Sequence, residues 1–192
     1  MGSRKKLMAD KISIYGKDVA NENRLSVRKN MAMVLQDIWL FWGSIAENIR
    51  YGKTKASDEE VKNAGVMSCA DSFVSRLKEK YKTPIFEGAK NFSLGQKQLI
   101  SIARAIVADR DIMILDEATS SVDTATEEKL YEAFNTLIKN KTSIVIAHRL
   151  STIRNADTIL VLNNGDIVEQ GTHDQLLAQH GFYYDLINSS TH

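Results

Sequence analysis

Apolar and polar residues along this chain fall into short blocks with two different periods. Six five-residue runs are rich in branched apolar side chains, and several are apolar on both faces, which is typical of strands covered by helices. These strand-like runs are 11–15, 31–35, 112–116, 143–147, 158–162 and 166–170. The last two flank Asn164-Gly165, a turn signal that predicts an antiparallel hairpin.

Helical periodicity fills the gaps between these runs. Ser57 and Glu60 have the spacing of a capping box and predict a helix that extends to Ser68. Residues 124–140 place one apolar stripe along a second predicted helix. Residues 37–111 show no strand pattern, so we expect a helical insertion of about 70 residues between two strand-bearing parts. The pattern as a whole predicts an α/β fold.

Composition narrows the class of protein only slightly. The chain has 192 residues, 43% of them apolar and 26% charged, which suits a sizeable globular domain. Its formal charge of +1 gives no general attraction to nucleic acid or to an anionic membrane. A lone Cys69 excludes an internal disulfide framework and favours a reducing compartment. No apolar run approaches the roughly 20 residues that span a bilayer.

Two stretches carry the candidate chemistry. The run 112–116 ends in Asp116, and Glu117 follows, so a buried strand aims two adjacent carboxylates at a metal or a reacting phosphate. About sixteen residues upstream, Ser93 and Gln96 have capping-box spacing and predict a helix start. A helix start favours an anion, and Gly95 lets a phosphate approach the backbone. Taken alone, the second stretch is explained at least as well by an ordinary capped helix with nothing bound.

Taken together, the two stretches resemble the nucleotide-binding domain of ABC transporters, in which a signature helix precedes a Walker B strand that ends in Asp-Glu. The resemblance runs from about Lys11 to the C-terminus and includes five motifs in the family's order. The other three are "MVLQD" (33–37), similar to the Q-loop, "SSVD" (120–123), similar to the D-loop, and "VIAHRLSTIRNAD" (145–157), similar to the switch-histidine segment. Residues 39–52, 168–177 and 181–187 resemble the exporter type.

The resemblance implies a role for each motif residue. Asp116 would hold Mg²⁺, and Gln36 would touch the metal or its water and sense the membrane domain. Glu117 would orient or deprotonate the attacking water as general base, and His148 would hydrogen-bond the γ-phosphate. The residues that would contact ATP or link the two sites of a dimer are Gln36, Ser93, Gly95, Gln96 and Asp123. The implied cofactors are ATP and Mg²⁺.

Each assignment has a structural alternative. Asp116 and Glu117 could be a polar strand end that caps the next helix, and His148 could be paired with a backbone carbonyl. The aromatic residues Trp39, Phe41 and Trp42 are individually interpreted as packing residues, although in the family this region lies near the surface that meets the transmembrane domain.

The printed sequence contains no G-x-x-x-x-G-K-[ST] phosphate loop. The nearest match, Gly52-Lys53-Thr54, would need its first glycine at position 47, where Glu47 stands. In the family this loop would precede residue 11, so we expect a truncated or degenerate domain. Loss of that segment predicts an uncovered sheet edge or face, with low stability or self-association. A lesser departure is Leu94, which replaces a usual glycine of the signature.

The expected fold is α/β, a partial RecA-like P-loop NTPase core with an inserted helical subdomain. We expect residues 1–36 to be a remnant of the N-terminal core, 37–96 a helical subdomain ending in the signature, and 97–192 the C-terminal core.

The leading function is the ATP-hydrolysing motor of an ABC exporter on the cytoplasmic face of the cell membrane. Its partners would be a transmembrane domain and a second nucleotide-binding domain, with no nucleic acid. The alternatives are a non-catalytic module that completes a partner subunit's ATP site, and a soluble ABC ATPase of DNA maintenance or translation. The exporter-like stretch 39–52 and the near-neutral charge disfavour the last.

Overall fold

The computed structural model describes residues 12–116, 123–147 and 150–189, which form short strands and helices in alternation. The strands are β1 Ser13–Ile14, β2 Lys17–Asp18, β3 Met31–Val34, β4 Gly43–Ser44, β5 Pro84–Ile85, β6 Ile112–Asp116, β7 Thr142–Ile146, β8 Ile159–Asn163 and β9 Asp166–Gly171. The helices are α1 Arg24–Arg28, α2 Ile45–Arg50, α3 Asp58–Met67, α4 Asp71–Val74, α5 Leu94–Ala108, α6 Thr124–Ile138, α7 Leu150–Arg154, α8 His173–Ala178 and α9 Phe182–Ser189. Three short 3₁₀ turns occupy Val19–Asn21, Lys80–Lys82 and Glu87–Ala89.

The chain divides into two compact units, Met1–Val145 and Ile146–His192. The predicted boundaries at residues 36 and 96 stay predictions. The short pair of β4 and β5 lies inside the stretch 37–111, so the prediction of no strand there is wrong. Two residues per strand are too few to leave a period in the sequence.

The central sheet of the first unit has three strands in the order β3-β6-β7. β3 and β6 are parallel, with Met31 level with Ile112 and Val34 level with Leu115. Val34, Met113 and Leu115 are buried, so one face of this sheet belongs to the core. Met33, Leu35 and Ile144 are exposed apolar residues of the same strands or their ends. The sheet edge or face that the missing phosphate loop would leave uncovered stays a prediction.

Helix α5 is the centre of the first unit because nearly all of its length is buried. It packs against α2, α3, α6 and β3. Its predicted apolar stripe is confirmed, since Leu99, Ile102, Ala103 and Val107 are buried and Ile106 packs against the core. Its predicted start is also confirmed: the helix begins after Ser93 with a complete capping box. The capping box predicted at Ser57 opens α3 in the same way.

Helix α2 is joined to α5 by a polar network around Asn48, which is fully buried. Its Nδ2 group donates to the carbonyl oxygens of Phe41 and Ser44 at 3.0 and 3.1 Å. Its Oδ1 atom accepts from the N–H of Phe41 and from Nη2 of Arg104, each at 3.0 Å. All four hydrogen-bonding positions of this amide are therefore filled, which removes the cost of burying it.

The described part of the second unit contains a hairpin and three helices, α7, α8 and α9. β8 and β9 pair antiparallel across Asn164-Gly165, so the predicted hairpin is confirmed. Both turn residues have positive φ, as a two-residue turn of this kind requires. The carboxylate of Glu169 accepts from the N–H groups of Phe182 and Tyr183 at 2.6 and 2.9 Å and so holds the start of α9.

Candidate functional site

The first part of the candidate site is formed where two parallel strands end together. Asp116 is the last residue of β6, and Gln36 lies two residues beyond the end of β3. Because Val34 is level with Leu115, the two polar residues leave the sheet at the same edge, on strands about 4.8 Å apart. Asp116 is half-buried and Gln36 is exposed. The fold therefore brings together the two residues assigned to the metal.

The donor set at this edge suits Mg²⁺, which takes oxygen ligands and usually only one or two carboxylates. Asp116 supplies a carboxylate and Gln36 an amide oxygen. Within the described ranges, no three His, Cys, Asp or Glu side chains group closely enough to hold a metal ion by themselves. A site here would thus hold its ion largely through phosphate and water, as Mg²⁺ sites commonly do.

The second part is the start of α5. The N–H of Ser93 donates to Oε1 of Gln96 at 3.0 Å, and the N–H of Gln96 donates to Oγ of Ser93 at 3.2 Å. The Ser93 hydroxyl accepts in this box and can still donate its own proton outward. Ser93 and Leu94 are exposed, whereas Gly95 is buried. The helix start therefore presents the Ser93 hydroxyl, and Leu94 covers part of the same surface.

Asp123 begins helix α6, where its carboxylate accepts from the N–H of Thr126 at 3.0 Å. Hydrogen bonds from Thr126, first from its side chain and then from its backbone, hold the pKa of Asp123 below its usual range. The side chain is exposed. Asp123 is thus a helix cap, a role that the sequence analysis did not assign to it.

Two predicted catalytic residues, Glu117 and His148, lie outside the described residues. Among the described residues, no hydrogen bond or ion pair joins Ser93, Gly95 or Gln96 to Gln36 or Asp116. The two parts are separate groups at the ends of different elements.

An aromatic surface on the first unit is formed mostly by residues that the sequence analysis interpreted individually as packing residues. It consists of Trp39, Phe41, Trp42 and Tyr51. Trp42 is 81% exposed and Trp39 63%, so the interpretation of Trp42 as a packing residue is wrong. Trp39 does contact its neighbours, since its ring centroid lies 5.7 Å from that of Phe41 and 6.5 Å from that of Tyr51. Three aromatic residues in four positions were the available signal.

Arg104 of helix α5 contacts this surface through its guanidinium group. Its guanidinium carbon lies 6.0 Å from the ring centre of Phe41 and 5.5 Å from that of Tyr51. Its Nη1 donates to the carbonyl oxygen of Trp39 at 3.0 Å, and its Nε donates to that of Asn48 at 2.9 Å. Burial lowers the pKa of Arg104 from its ordinary value, although Tyr51 opposes the shift.

Comparisons with known proteins agree with this combination of fold and motifs. Residues 3–120 match the family model described as ABC transporter. The chain belongs to the ABC transporter family, as its ATP-binding domain. The resemblance inferred from the motifs and the expected fold class are both confirmed.

Two relatives indicate how much of a longer protein this chain matches. It is 52% identical over 179 residues to the uncharacterized ABC transporter ATP-binding protein YfiC of Bacillus subtilis, covering 93% of this chain and 30% of that protein. It is 49% identical over 176 residues to a fatty acid ABC transporter ATP-binding/permease protein of Mycobacterium bovis, covering 92% and 28%. The chain thus spans less than a third of these relatives' length.

A solved structure gives the same assignment. A bacterial Atm1-family ABC exporter with ATP bound superposes with a TM-score of 0.87 at 38% identity, covering 95% of this chain and 32% of that one. In the part of the chain that the structure describes, no helix is both long and apolar enough to cross a bilayer.

Proposed function

We propose that this chain is the ATP-binding and ATP-hydrolysing motor part of an ABC exporter. The observation that carries the proposal is the shared edge of β3 and β6, where Gln36 and Asp116 leave the sheet together. Phosphoryl transfer to water depends on positioning and on neutralising the charge that develops on the transferred group. A parallel sheet edge with a carboxylate and an amide is suited to both tasks.

In this mechanism Asp116 and Gln36 would hold Mg²⁺, which neutralises charge on the phosphates when it is bound. Glu117 orients the attacking water and accepts its proton as the bond from the water oxygen to the γ-phosphorus forms. The bond between the γ-phosphorus and the bridging oxygen breaks, and ADP leaves. His148 donates a hydrogen bond to the γ-phosphate.

The exposed start of α5 would contact an ATP held by a second nucleotide-binding domain. Ser93 can donate its hydroxyl proton to a phosphate oxygen without leaving the capping box. Gly95 and Gln96 complete this surface, and Asp123 would lie at the junction between the two sites. The proposed assembly is a dimer that holds two nucleotides at its interface.

The aromatic surface would receive the transmembrane partner. Exposed Trp and Tyr side chains are the residue types that dominate binding energy at protein interfaces. Trp39 and Trp42 are both more than half exposed, which is costly for a monomer unless a partner covers them. In this proposal the chain would lie on the cytoplasmic face of the membrane.

Mg-ATP calorimetry on the 192-residue chain, together with phosphate release, tests the proposal. Where the wild-type chain binds Mg-ATP and releases phosphate, Glu117→Gln should keep the binding and lower the release by about 100-fold or more, since a general base contributes roughly that much. Lys29→Gln, an exposed change elsewhere, should alter neither quantity. Undiminished phosphate release by Glu117→Gln would contradict the assignment of the general base.

A second function is a non-catalytic module that completes a partner's ATP site. The exposed Ser93 at the start of α5 favours it, because that surface needs no nucleotide of its own. No heat at millimolar Mg-ATP, combined with tighter ATP binding by an added intact nucleotide-binding domain, would support this module. Loss of that effect in Ser93→Ala would identify the surface.

A further inference from the structure

The segment that leads into and includes the start of the signature helix is strongly basic. Residues 76–97 contain six basic and two acidic residues, a formal charge of +4 on a chain whose total is +1. The rest of the chain therefore carries a formal −3. The six basic residues are Arg76, Lys78, Lys80, Lys82, Lys90 and Lys97. All except Lys97 are exposed.

The side chains of the lysines at the centre of this segment have no partner among the residues that the structure describes. Lys80 and Lys82 lie on an exposed 3₁₀ turn, and their side chains take part in no ion pair or hydrogen bond with any described residue. Nearby basic residues behave differently: Arg50 pairs with Asp58, and Lys53 pairs with Glu60. Lys80 and Lys82 thus keep their full charge available to another molecule.

The lysine turn, which is the 3₁₀ turn Lys80–Lys82, borders the aromatic surface. It contacts helix α2, which ends next to Tyr51. It leads directly into β5, which pairs with β4 immediately after Trp42. The N–H of Ile45 donates to the carbonyl oxygen of Thr83 at 3.1 Å and fixes the two segments side by side. Lys82 and Lys80 precede Thr83 by one and three residues, so at about 3.3 Å per residue they lie within roughly 10 Å of this contact along the chain.

We infer that the aromatic surface and the lysine turn together select a partner helix that is apolar along one face and acidic at one end. The inference rests on the proposed docking of a transmembrane partner and adds the chemistry of the contact. A helix of about three turns is roughly 16 Å long, enough to cover the aromatic residues and reach the turn. Its apolar face lies on the indoles, and its carboxylates pair with Lys80 and Lys82.

Charge at the rim of such an interface sets orientation and partner choice more than affinity. The aromatic residues would supply most of the binding, since exposed ion pairs contribute little on average. An anionic membrane is disfavoured because two rings of the surface next to the lysines, Phe41 and Tyr51, are contacted by Arg104, and such a supported surface suits a shaped partner. The lysine turn therefore acts as a selector for acidic partners.

Fluorescence anisotropy with synthetic peptides tests this inference. Three labelled amphipathic helical peptides of about 16 residues, with the same leucine face and with glutamate, glutamine or lysine at one end, are titrated with the 192-residue chain. We expect the glutamate peptide to bind about fivefold more tightly than the glutamine peptide, as two rim ion pairs allow, with a preference that falls as salt rises.

The Lys80→Glu/Lys82→Glu variant should lose or reverse this preference while still binding the glutamine peptide. The control Lys29→Glu/Lys139→Glu changes the net charge equally at exposed sites elsewhere and should keep the preference.

Equal binding of all three peptides would overturn the inference but leave the docking surface. If the glutamine peptide binds weakly and the Trp42→Ala variant binds it no more weakly, the proposed docking is contradicted. If the chain binds vesicles that contain phosphatidylserine and shows no preference among the peptides, the inference is overturned and a membrane is the partner.

Discussion

Arg104→Ala should lower the free energy of unfolding of the first unit by about 2–4 kcal/mol. Arg104 makes three hydrogen bonds, to Asn48 twice and to the carbonyl of Trp39 once, all at 2.9–3.0 Å. Hydrogen bonds to charged groups contribute roughly 1.5–3 kcal/mol each, and two cation–π contacts add roughly 0.5–1 each. The guanidinium is only partly buried, so in the variant water replaces some of these interactions and the net loss of stability is smaller than their sum.

Urea unfolding followed by tryptophan fluorescence measures this loss. Both tryptophans, Trp39 and Trp42, lie in the first unit, so the signal reports on that unit alone. Arg104→Lys should fall between the wild type and the alanine variant, because an ammonium group cannot match the planar fork of guanidinium. Arg28→Ala removes an exposed arginine from α1 and should change stability by no more than about 0.5 kcal/mol.

A double-mutant cycle with Asn48→Ala distinguishes a network from two independent contacts. Asn48 accepts from Arg104 at two of its oxygen atoms. Contacting residues in one network show interaction energies of about 0.5–3 kcal/mol. If the two single losses add within about 0.3 kcal/mol, the reasoning about this network is refuted.

Three further predictions follow from single side chains. Gly52→Ala should cost about 1–3 kcal/mol in the same urea assay, because its new Cβ would lie 2.1 Å from the carbonyl oxygen of Arg104; an unchanged midpoint would contradict that close approach. The lowered pKa of Asp123 stabilises the fold above the unfolded pKa, near 3.9, and this stability is lost as pH falls through the folded pKa. Asp123→Asn should therefore flatten the pH profile of thermal unfolding below pH 5, whereas an unaltered profile would exclude the cap as its source. Ile144→Glu should reduce self-association in sedimentation velocity, since Ile144 lies exposed on the central sheet; a wild type that is monomeric at every concentration would refute an accessible apolar face.

Elements defined by period and caps could be predicted from the sequence. The capping boxes at Ser57 and Ser93 reflect contacts three residues apart, so a local pattern fixes them. The hairpin at Asn164-Gly165 is equally local, because the turn residues themselves adopt positive φ. The parallel register of β3 and β6 joins residues about eighty positions apart, so no local pattern could predict it.

Features that depend on distant packing could not be predicted. Arg104 gives no local signal in the sequence, because its acceptors lie 56 and 65 residues away. Trp42 was interpreted as a packing residue from its chemistry, but exposure depends on which surfaces are left uncovered. The role of Asp123 as a cap was hidden because the motif reading assigned it to another function.

The position of Arg104 also connects the two surfaces on which the proposed function depends. It lies eleven residues beyond Ser93 on the same buried helix, a distance of about 16 Å along the axis. Its other contacts are the carbonyl of Trp39 and the rings of Phe41 and Tyr51, so it belongs to the aromatic surface as well. A partner that moves these aromatic residues must either break the Arg104 contacts or move α5 with them. Because breaking them costs as much as the first prediction estimates, moving the helix is favoured, and the start of α5 moves with it.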